Sequence, residues 1–235
     1  MRILLASDGS ADARAAHSLV AGWLPRADDL ITVLAVAPPL PVLGAELEPP
    51  VPAHAPSLVD AANLIVEDAA AQLGAVGHRV KTLVRLGKPP EEILGVADEI
   101  GSDLVILGAK GVGRVRRFLL GSVAERVARH AAVSVLVVKE PVGQVRSVLI
   151  GIDVLAPDIA VETLIRLPFP RPLQAHVIAV LPPRDVGFWG IHPATHQRVM
   201  ADWDAVWRAQ EAEAGAICLA ARDRLQAAAI ATTLA

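Results

Sequence analysis

The chain has 235 residues, of which 53% are hydrophobic, so it can bury the core of one large domain or two smaller ones and is too apolar to be intrinsically disordered. Its formal charge of -3 lacks the basic excess of a nucleic-acid-binding protein, and no apolar run approaches the roughly 18 residues of a membrane span. The single cysteine, Cys218, excludes an intrachain disulfide and fits a reducing compartment, so we expect a cytoplasmic globular protein with no nucleic-acid or membrane partner.

Short apolar runs alternate with helix-like segments along the first 139 residues. In chain order, the runs are "RILLAS", "LITVLAVA", "RVKTLVRL", "DLVILG" and "VSVLVVK". The segments between them carry apolar residues at helical spacing, so the pattern predicts five strands joined by helices in a doubly wound α/β fold. The strands lack polar alternation because helices cover both faces of such a parallel sheet.

Helix-start signals agree with this order of elements. Ser57 followed by Asp60, and Ser122 followed by Glu125, have the spacing of capping boxes. Pro89 stands at the start of a third helical segment, where its fixed φ and missing N–H are tolerated. We therefore expect helices to begin at these three places.

The second half of the chain repeats the pattern of the first. "ILLASDGSADARAA" returns as "VLIGIDVLAPDIAV", and "VLAVAPP" returns as "VIAVLPP" at nearly the same offset. Such a coincidence indicates a tandem duplication, with a first domain over residues 1–140 and an incomplete second domain over residues 145–235. The predicted fold is therefore a doubly wound, five-stranded parallel sheet followed by a partial second copy, which ends after a long helix and the strand-like "AIATTLA".

The segment "GAKGVGRVRRFLLGS" follows the fourth strand and precedes the fourth helix. A parallel sheet places strand ends beside helix amino ends, where N–H groups and the helix dipole favour phosphates. Gly108, Gly111 and Gly113 let the backbone approach a ligand, and Gly121 and Ser122 open the next helix. The segment therefore predicts a polyphosphate site. It is not a P-loop, which needs a lysine before the serine, and it lacks the third glycine of a dinucleotide fingerprint.

The same segment has the spacing Gly-x2-Gly-x9-Gly-Ser, which resembles the nucleotide-binding motif of ATP-binding universal stress proteins. "ILLASDGS" at the start, "GKPPEEIL" after the third strand and "SVLVV" at the end extend the resemblance over residues 1–139. The resemblance implies the strand order 3-2-1-4-5, which brings the ends of strands one and four together at the topological switch point. Asp8 would then face Gly108.

The resemblance also implies which residues bind the nucleotide. The aspartate that ends strand one would contact the nucleoside, the backbone at the end of strand two would border the adenine, and the glycines and serine would hold phosphates. With the flanking positions, the predicted nucleotide-binding set is Asp8, Gly9, Ser10, Ala35, Val36, Gly108, Lys110, Gly111, Gly113, Gly121, Ser122 and Val123. The implied ligand is ATP accompanied by Mg²⁺. No dedicated metal site and no catalytic residue is predicted.

Several of these residues have a purely structural alternative. Asp8, at a strand–helix junction, could simply cap the next helix, and Ser122 could serve only its capping box. Lys110 and the three arginines that follow it fit a solvated surface as well as a phosphate contact. Trp203 and Trp207, four residues apart on the long helix, could face their own core or a partner chain.

The second copy is not expected to bind ATP in the family's manner, because "DVL" replaces "DGS" and no glycine-rich loop follows. The strand at residues 133–139 has no counterpart in the second half, and its exposed edge would invite pairing with another chain. Since the resemblance implies dimerisation through the fifth strand, we expect a homodimer through residues 133–139.

Three functions remain open from the sequence. The main hypothesis is an ATP-binding regulatory protein of the stress response, in which nucleotide occupancy changes the surface presented to an unknown protein partner. The second is a slow ATPase or phosphotransferase that uses the same pocket, although no general base is evident. The third is a nucleotide-free interaction scaffold in which the second half is decisive.

Overall fold

The computed structural model describes residues 1–23, 28–38, 57–111, 120–141, 143–153, 155–181 and 193–234, and for 193–202 the backbone alone. The chain divides into two compact units, Met1–Gln144 and Val145–Ala235. Each unit has its own sheet and its own core. That residues 1–140 form a nucleotide-binding domain and residues 145–235 an incomplete second domain stays a prediction.

The described part of the first unit is a five-stranded parallel sheet with four helices. Its elements, in chain order, are β1 (Arg2–Ala6), α1 (Ala11–Ala21), β2 (Leu30–Ala37), α2 (Leu58–Ala75), β3 (Val80–Leu86), α3 (Pro89–Glu99), β4 (Leu104–Gly108), α4 (Ser122–His130) and β5 (Ser134–Val138). The strands are ordered β3-β2-β1-β4-β5, and every neighbouring pair is parallel. The predicted α/β class and the strand order implied by the resemblance are therefore confirmed.

The two central strands are buried on both faces. Leu4 and Leu5 of β1, and Val105 and Ile106 of β4, are all fully buried. Because neighbours along a strand point to opposite faces, this requires helices on each side of the sheet. On one side, Leu4 and Val105 pack with residues of α3 and α4. Each such side chain stabilises the fold by about 1.5–3 kcal/mol relative to exposure.

Local side chains explain where α1 and α2 begin. Ser10 is the N-cap of α1, where its Oγ accepts a hydrogen bond from the Ala13 N–H. The alternative in which Asp8 caps this helix is therefore wrong. At α2 the predicted capping box is confirmed, because Ser57 and Asp60 each accept a hydrogen bond from the other's backbone N–H.

The capping box predicted at the start of α4 is wrong. The helix begins at Ser122 itself, and the N-cap position is Gly121, which has no side chain to cap it. Glu125 instead forms an ion pair with Arg129 at 3.0 Å. The reason is one of register, because Ser122 already has helical geometry and lies one position too late to cap. The third helix, α3, begins at Pro89 as predicted.

The second unit is a three-stranded parallel sheet in the part of the chain described. Its elements are β6 (Ser147–Ile152), α5 (Pro157–Arg166), β7 (Gln174–Ala179), α6 (Pro193–Ala227) and β8 (Ala231–Leu234), in the strand order β6-β7-β8. Ile150, Val177 and Leu225 belong to its core. Connectivity and order match those of β1, β2 and β3, as expected for a partial second copy, whereas the duplication itself stays a prediction.

The long helix α6 has one side only partly covered. Trp203 and Trp207 are half-buried, whereas Val206 beside them is exposed. Cys218 lies half-buried against the second core, and burial raises the pKa of its thiol. None of the helices in the described ranges is both long and apolar enough to span a lipid bilayer.

His17 is a buried histidine on α1. Its side chain is 2% exposed, and neither ring nitrogen has a hydrogen-bond partner among the described residues. Burial is the main cause that lowers the pKa of His17 below the ordinary value of 6.5. The Asp68 and Asp8 carboxylates raise this pKa, whereas the Arg14 guanidinium lowers it further. The neighbouring strands β4 and β5 contain no ionisable residue. The imidazole of the folded chain is therefore mainly neutral at neutral pH.

We predict that acid destabilises the first unit through His17. Because the folded-state pKa lies below the unfolded-state value, this stabilising contribution is complete above about pH 6.5 and is lost as the pH falls from there toward the folded-state pKa. Urea unfolding, followed by the NMR signals of β1 at neutral and at mildly acidic pH, should show a smaller loss in His17→Leu than in wild type.

The control for this experiment is His130→Leu, at an exposed position near the end of α4. This variant should lose as much stability on acidification as wild type does. Equal losses in wild type and His17→Leu would contradict the prediction and assign the acid sensitivity to other groups.

Candidate functional site

The carboxyl ends of β1 and β4 lie side by side, with Ala6 opposite Leu107 in the sheet register. Successive connections run in opposite directions from these two strands, and open α/β sheets bind ligands in the crevice formed at such a point. A cleft of about 530 Å³ lies there. Its lining comprises Ala6, Ser7, Asp8, Ala13, Leu34, Val36, Pro38, Pro89, Ile93, Leu107, Gly108, Ala109, Lys110, Gly111, Leu120, Gly121, Ser122, Val123 and Ala124.

Asp8 stands between the β1–α1 turn and the glycine-rich segment. The turn depends on Gly9, whose φ of +71° lies in the left-handed region that favours glycine. Within the turn, the Asp8 Oδ1 accepts a hydrogen bond from the Ser10 N–H at 3.0 Å. The Asp8 Oδ2 faces Gly111 so closely that a Cβ added there would lie 2.5 Å from it. Gly111 is therefore needed to leave the carboxylate in place.

Gly108, at the end of β4, lies against the backbone of α1. A Cβ at this position would lie 2.6 Å from the Ala13 nitrogen and 2.7 Å from the Asp12 carbonyl carbon. Backbone atoms of a helix cannot yield as the end of a flexible side chain can. The strand and the helix can approach this closely only because residue 108 has no side chain.

The two ends of the glycine-rich segment lie next to each other at the cleft. The Gly121 N–H donates to the Ala109 carbonyl oxygen at 2.7 Å, and the Ala109 N–H donates to the Val138 carbonyl oxygen at 2.7 Å. These bonds place the start of α4 beside the end of β4. The first turn of α4 thus opens into the cleft through Ser122 and Val123, where N–H groups and the helix dipole favour an anion.

Much of the remaining cleft lining is apolar. Val36 and Pro38 line it from the end of β2, and Pro89 and Ile93 line it from the first turns of α3. Val123 adds a wall from α4. A flat, weakly polar ring fits between such walls, whereas a highly charged group does not.

Two charged side chains, Asp8 and Lys110, belong to the described lining. They have opposite signs, so the described residues give the polar end of the cleft no net charge. The first turn of α4, which has no side-chain cap, adds backbone N–H groups that favour an anion at this end of the cleft. Residues 112–119, which include the three arginines considered in the sequence, lie outside the described residues.

The structure brings most of the predicted site residues together. The predicted residues that line the cleft are Asp8, Val36, Gly108, Lys110, Gly111, Gly121, Ser122 and Val123. Gly9, Ser10 and Ala35 do not line it. Ala35 is 2% exposed, and its neighbours on β2 reach the cleft instead, because adjacent residues of a strand point to opposite faces. Gly113 lies outside the described residues.

Sequence reasoning missed a number of residues of this site, and four of them are instructive. Ala13, Pro38 and Ile93 line the cleft, and the Asp12 Oδ2 accepts a hydrogen bond from the Lys110 N–H at 3.0 Å. Ile93 lies in "GKPPEEIL", a stretch that carried the family resemblance, so a signal for it existed. Asp12 carried no signal, because an acidic residue in the first turn of a helix is ordinarily a favourable partner of the helix dipole.

No group of three or more His, Cys, Asp and Glu side chains able to hold a metal ion occurs in the described ranges. Mg²⁺ prefers oxygen ligands and commonly takes one or two of them from carboxylates and the others from water or phosphate. The described lining offers the Asp8 carboxylate, whose Oδ1 accepts from the Ser10 N–H and whose Oδ2 faces Gly111.

A family model described as the universal stress protein family matches residues 1–139. A universal stress protein of Methanocaldococcus jannaschii is 38% identical over 82 residues, which is 35% of this chain and 51% of that protein. The chain thus spans about half the length of that relative. A putative universal stress protein of Staphylococcus aureus strain USA300 is 31% identical over 143 residues, covering 58% of this chain and 82% of that one.

Solved structures agree on the fold. A universal stress protein from Archaeoglobus fulgidus matches 99% of this chain and 75% of its own, with a TM-score of 0.60 and 18% identity. At that identity the likeness shows the fold alone. Two further structures with TM-scores of 0.41 and 0.46 are described as a universal stress protein in complex with cAMP, at 22% identity, and an Arabidopsis thaliana family protein with AMP bound, at 16% identity.

We predict that Gly108→Ala destabilises the first unit by about 1–3 kcal/mol, the usual cost of forcing extra atoms into a packed site. The added Cβ would collide with the backbone of α1, and the cleft would widen or the strand would shift. Urea unfolding of the full chain measures the change. Gly95→Ala is the matched control, because a Cβ there meets no atom within 4 Å and alanine is the better helix former, so it should stabilise slightly. Equal effects of the two substitutions would contradict the prediction.

Proposed function

This chain belongs to the universal stress protein family, and from that membership we propose that its first unit binds ATP and acts as a nucleotide-dependent regulatory protein of the stress response. The proposal extends to a cytoplasmic location and to an unidentified protein partner that senses the occupied state. Binding, not turnover, is the proposed work of the site.

The observation that carries the proposal is the division of one cleft into two chemical halves. Val36, Pro38 and Ile93 line an apolar half. The other half includes the first turn of α4, which has no side-chain cap and so leaves backbone N–H groups for an anion. A ligand that matches both halves has a flat ring at one end and an anionic group at the other. An adenine nucleotide has this form, and a cleft of about 530 Å³ is within the usual range for small-ligand sites.

Each part of the nucleotide has a proposed partner. The apolar half takes the adenine, and the Asp8 carboxylate accepts hydrogen bonds from the ribose hydroxyls. The backbone of Gly111, the first turn of α4 and the Ser122 hydroxyl take the phosphates, with Lys110 supplying a positive charge. Mg²⁺ would arrive with the nucleotide and offset the negative charge of its phosphates.

Regulation follows from the placement of the glycine-rich segment. Its ends meet at the hydrogen bond between Gly121 and Ala109, so phosphates bound at this point would contact both ends of the segment. Occupancy would thereby change the surface at these two ends, which is the surface we propose a partner recognises. Among the described lining residues no histidine or pair of carboxylates stands ready as a general base, so hydrolysis is a question for the test and no part of the proposal.

We predict that freshly purified protein releases ATP on denaturation, and that stripped protein binds ATP with Mg²⁺. Gly111→Val should lose at least 90% of bound nucleotide, on the order of the effect expected when a ligand's backbone donors are displaced, because its side chain collides with Asp8. Gly74→Ala, at an open position on α2, is the matched control and should bind as wild type does. AMP and cAMP enter the titration as competitors.

The result that would overturn the proposal is wild-type protein that neither carries nor binds any adenine nucleotide. The ATPase hypothesis is tested in the same samples by following ADP. Production that vanishes in Gly111→Val would assign turnover to the cleft, whereas production unchanged in that variant would mark contamination. Partner capture unaffected by Gly111→Val would favour the scaffold hypothesis.

We also propose that the protein forms a homodimer through residues 133–139. Among the described residues, β5 pairs with β4 on one side and forms an edge of the sheet on the other, and an open edge favours pairing with a second strand. The supporting observation is that Val135 and Val137 are only half-buried in one chain.

For the dimer we predict a mass near twice 24.6 kDa in sedimentation at micromolar concentration. To locate the interface, Leu136→Cys, at the middle of β5, in a Cys218→Ser background should cross-link two chains under oxidation, because a two-fold axis brings the middle of the strand opposite its own copy. Ser147→Cys, on β6 of the second unit, is the control that should not. A monomeric mass, or cross-linking only in the control, would contradict the proposal.

A further inference from the structure

We infer that Ser10 and Asp12 form a clamp that positions the phosphate-binding end of the cleft without touching the nucleotide. The inference rests on the proposed function, because it assigns these residues a role toward the phosphates of the proposed ligand. It moves Ser10 from direct nucleotide contact to a positioning role, and it adds Asp12 to the site.

Both polar groups of the Lys110 backbone are held by the start of α1. The Ser10 Oγ donates to the Lys110 carbonyl oxygen at 3.1 Å, and the Lys110 N–H donates to the Asp12 Oδ2 at 3.0 Å. The Ser10 Oγ also accepts from the Ala13 N–H at 3.2 Å. One residue of the glycine-rich segment is therefore fixed at two points by a helix about 100 positions away in the chain.

The burial and hydrogen bonds of Ser10 and Asp12 favour a role in holding the Lys110 backbone over direct contact with a ligand. Ser10 is 8% exposed, and its hydroxyl already has one donor and one acceptor as partners, so it has little capacity left for a ligand. Asp12 is half-buried and belongs to the first turn of α1, where the helix dipole stabilises its charge. Neither residue lines the cleft.

The clamp exists because Gly108 allows α1 to lie so close to the end of β4. From that contact the chain runs two residues to Lys110, where the clamp acts, and one more to Gly111, which packs against the Asp8 Oδ2. Fixing the Lys110 carbonyl therefore fixes where the Gly111 N–H of the same peptide plane points. Such preorganisation raises affinity by removing an ordering cost that binding would otherwise meet.

A positioning role predicts selectivity between ligands. The clamp acts on the segment proposed to hold phosphates, whereas the apolar walls of Val36 and Ile93 lie on other elements. Loss of the clamp should therefore lower the affinity for ATP. The affinity for adenosine, which has no phosphate, should stay unchanged. A general loss of protein stability would lower the affinities for ATP and for adenosine to the same extent.

The test compares wild type, Asp12→Ala, Asp12→Asn and Asp60→Ala as full-length chains. Asp60→Ala is the matched control, because Asp60 is also an acidic residue in the first turn of a helix, but in α2 and away from the cleft. The affinities of ATP with Mg²⁺ and of adenosine are measured by calorimetry or competition. Amide hydrogen exchange at Lys110 is measured in ligand-free protein.

We expect Asp12→Ala to lower the affinity for ATP on the order of tenfold and the affinity for adenosine by less than about twofold. Hydrogen exchange at the Lys110 amide should become faster. Asp12→Asn should recover most of the ATP affinity, since its side-chain oxygen still accepts from that amide. Asp60→Ala should leave all three measurements unchanged. The inference is overturned if Asp12→Ala lowers the affinities for ATP and adenosine equally, or if it leaves the affinity for ATP unchanged.

Failure of the proposed function has a different signature. If wild type binds neither ATP nor adenosine, the nucleotide proposal fails, and the clamp is judged by amide exchange alone. Faster exchange at Lys110 in Asp12→Ala but not in Asp60→Ala would then uphold it as a device that positions the segment. Unchanged exchange in Asp12→Ala would overturn it.

Discussion

The contact between the end of β4 and the first turn of α1 is the constraint on which the rest of the site depends. It exists because Gly108 has no side chain, since a Cβ there would lie 2.6 Å from the Ala13 nitrogen. The same contact lets the Ser10 and Asp12 side chains reach the Lys110 backbone. One missing methyl group therefore decides the geometry of the polar half of the cleft.

The parallel sheet supplies the other half of the explanation. Burial of β1 and β4 on both faces requires helices on each side, and those connections leave a crevice where the order β3-β2-β1-β4-β5 changes direction. The first turns of α3 and α4 then flank the crevice from the same edge, one apolar through Pro89 and Ile93, the other rich in N–H groups. This arrangement supports the proposed ligand, which has a flat ring at one end and an anionic group at the other.

The two units repeat a strand order without repeating the site. The sheet of the second unit runs β6-β7-β8, which corresponds to β1, β2 and β3. A crevice of the first unit's type needs a neighbouring strand on the far side of the first one, and the described residues of the second unit show β6 paired with β7 alone. Nucleotide chemistry is therefore proposed for the first unit, and the second is considered only for protein contacts.

The sequence by itself determined the elements, the glycine-rich segment and the family, because periodicity and motif spacing are properties of neighbouring residues. The observed strands begin and end within a few residues of the predicted ones. Only the tertiary structure decided that Val36 and not Ala35 reaches the cleft, that Gly121 and not Ser122 occupies the cap of α4, and that Asp12 binds the Lys110 backbone. Contacts across about 100 positions depend on sheet register and on how closely a helix approaches a strand, and no local pattern of residues encodes either distance.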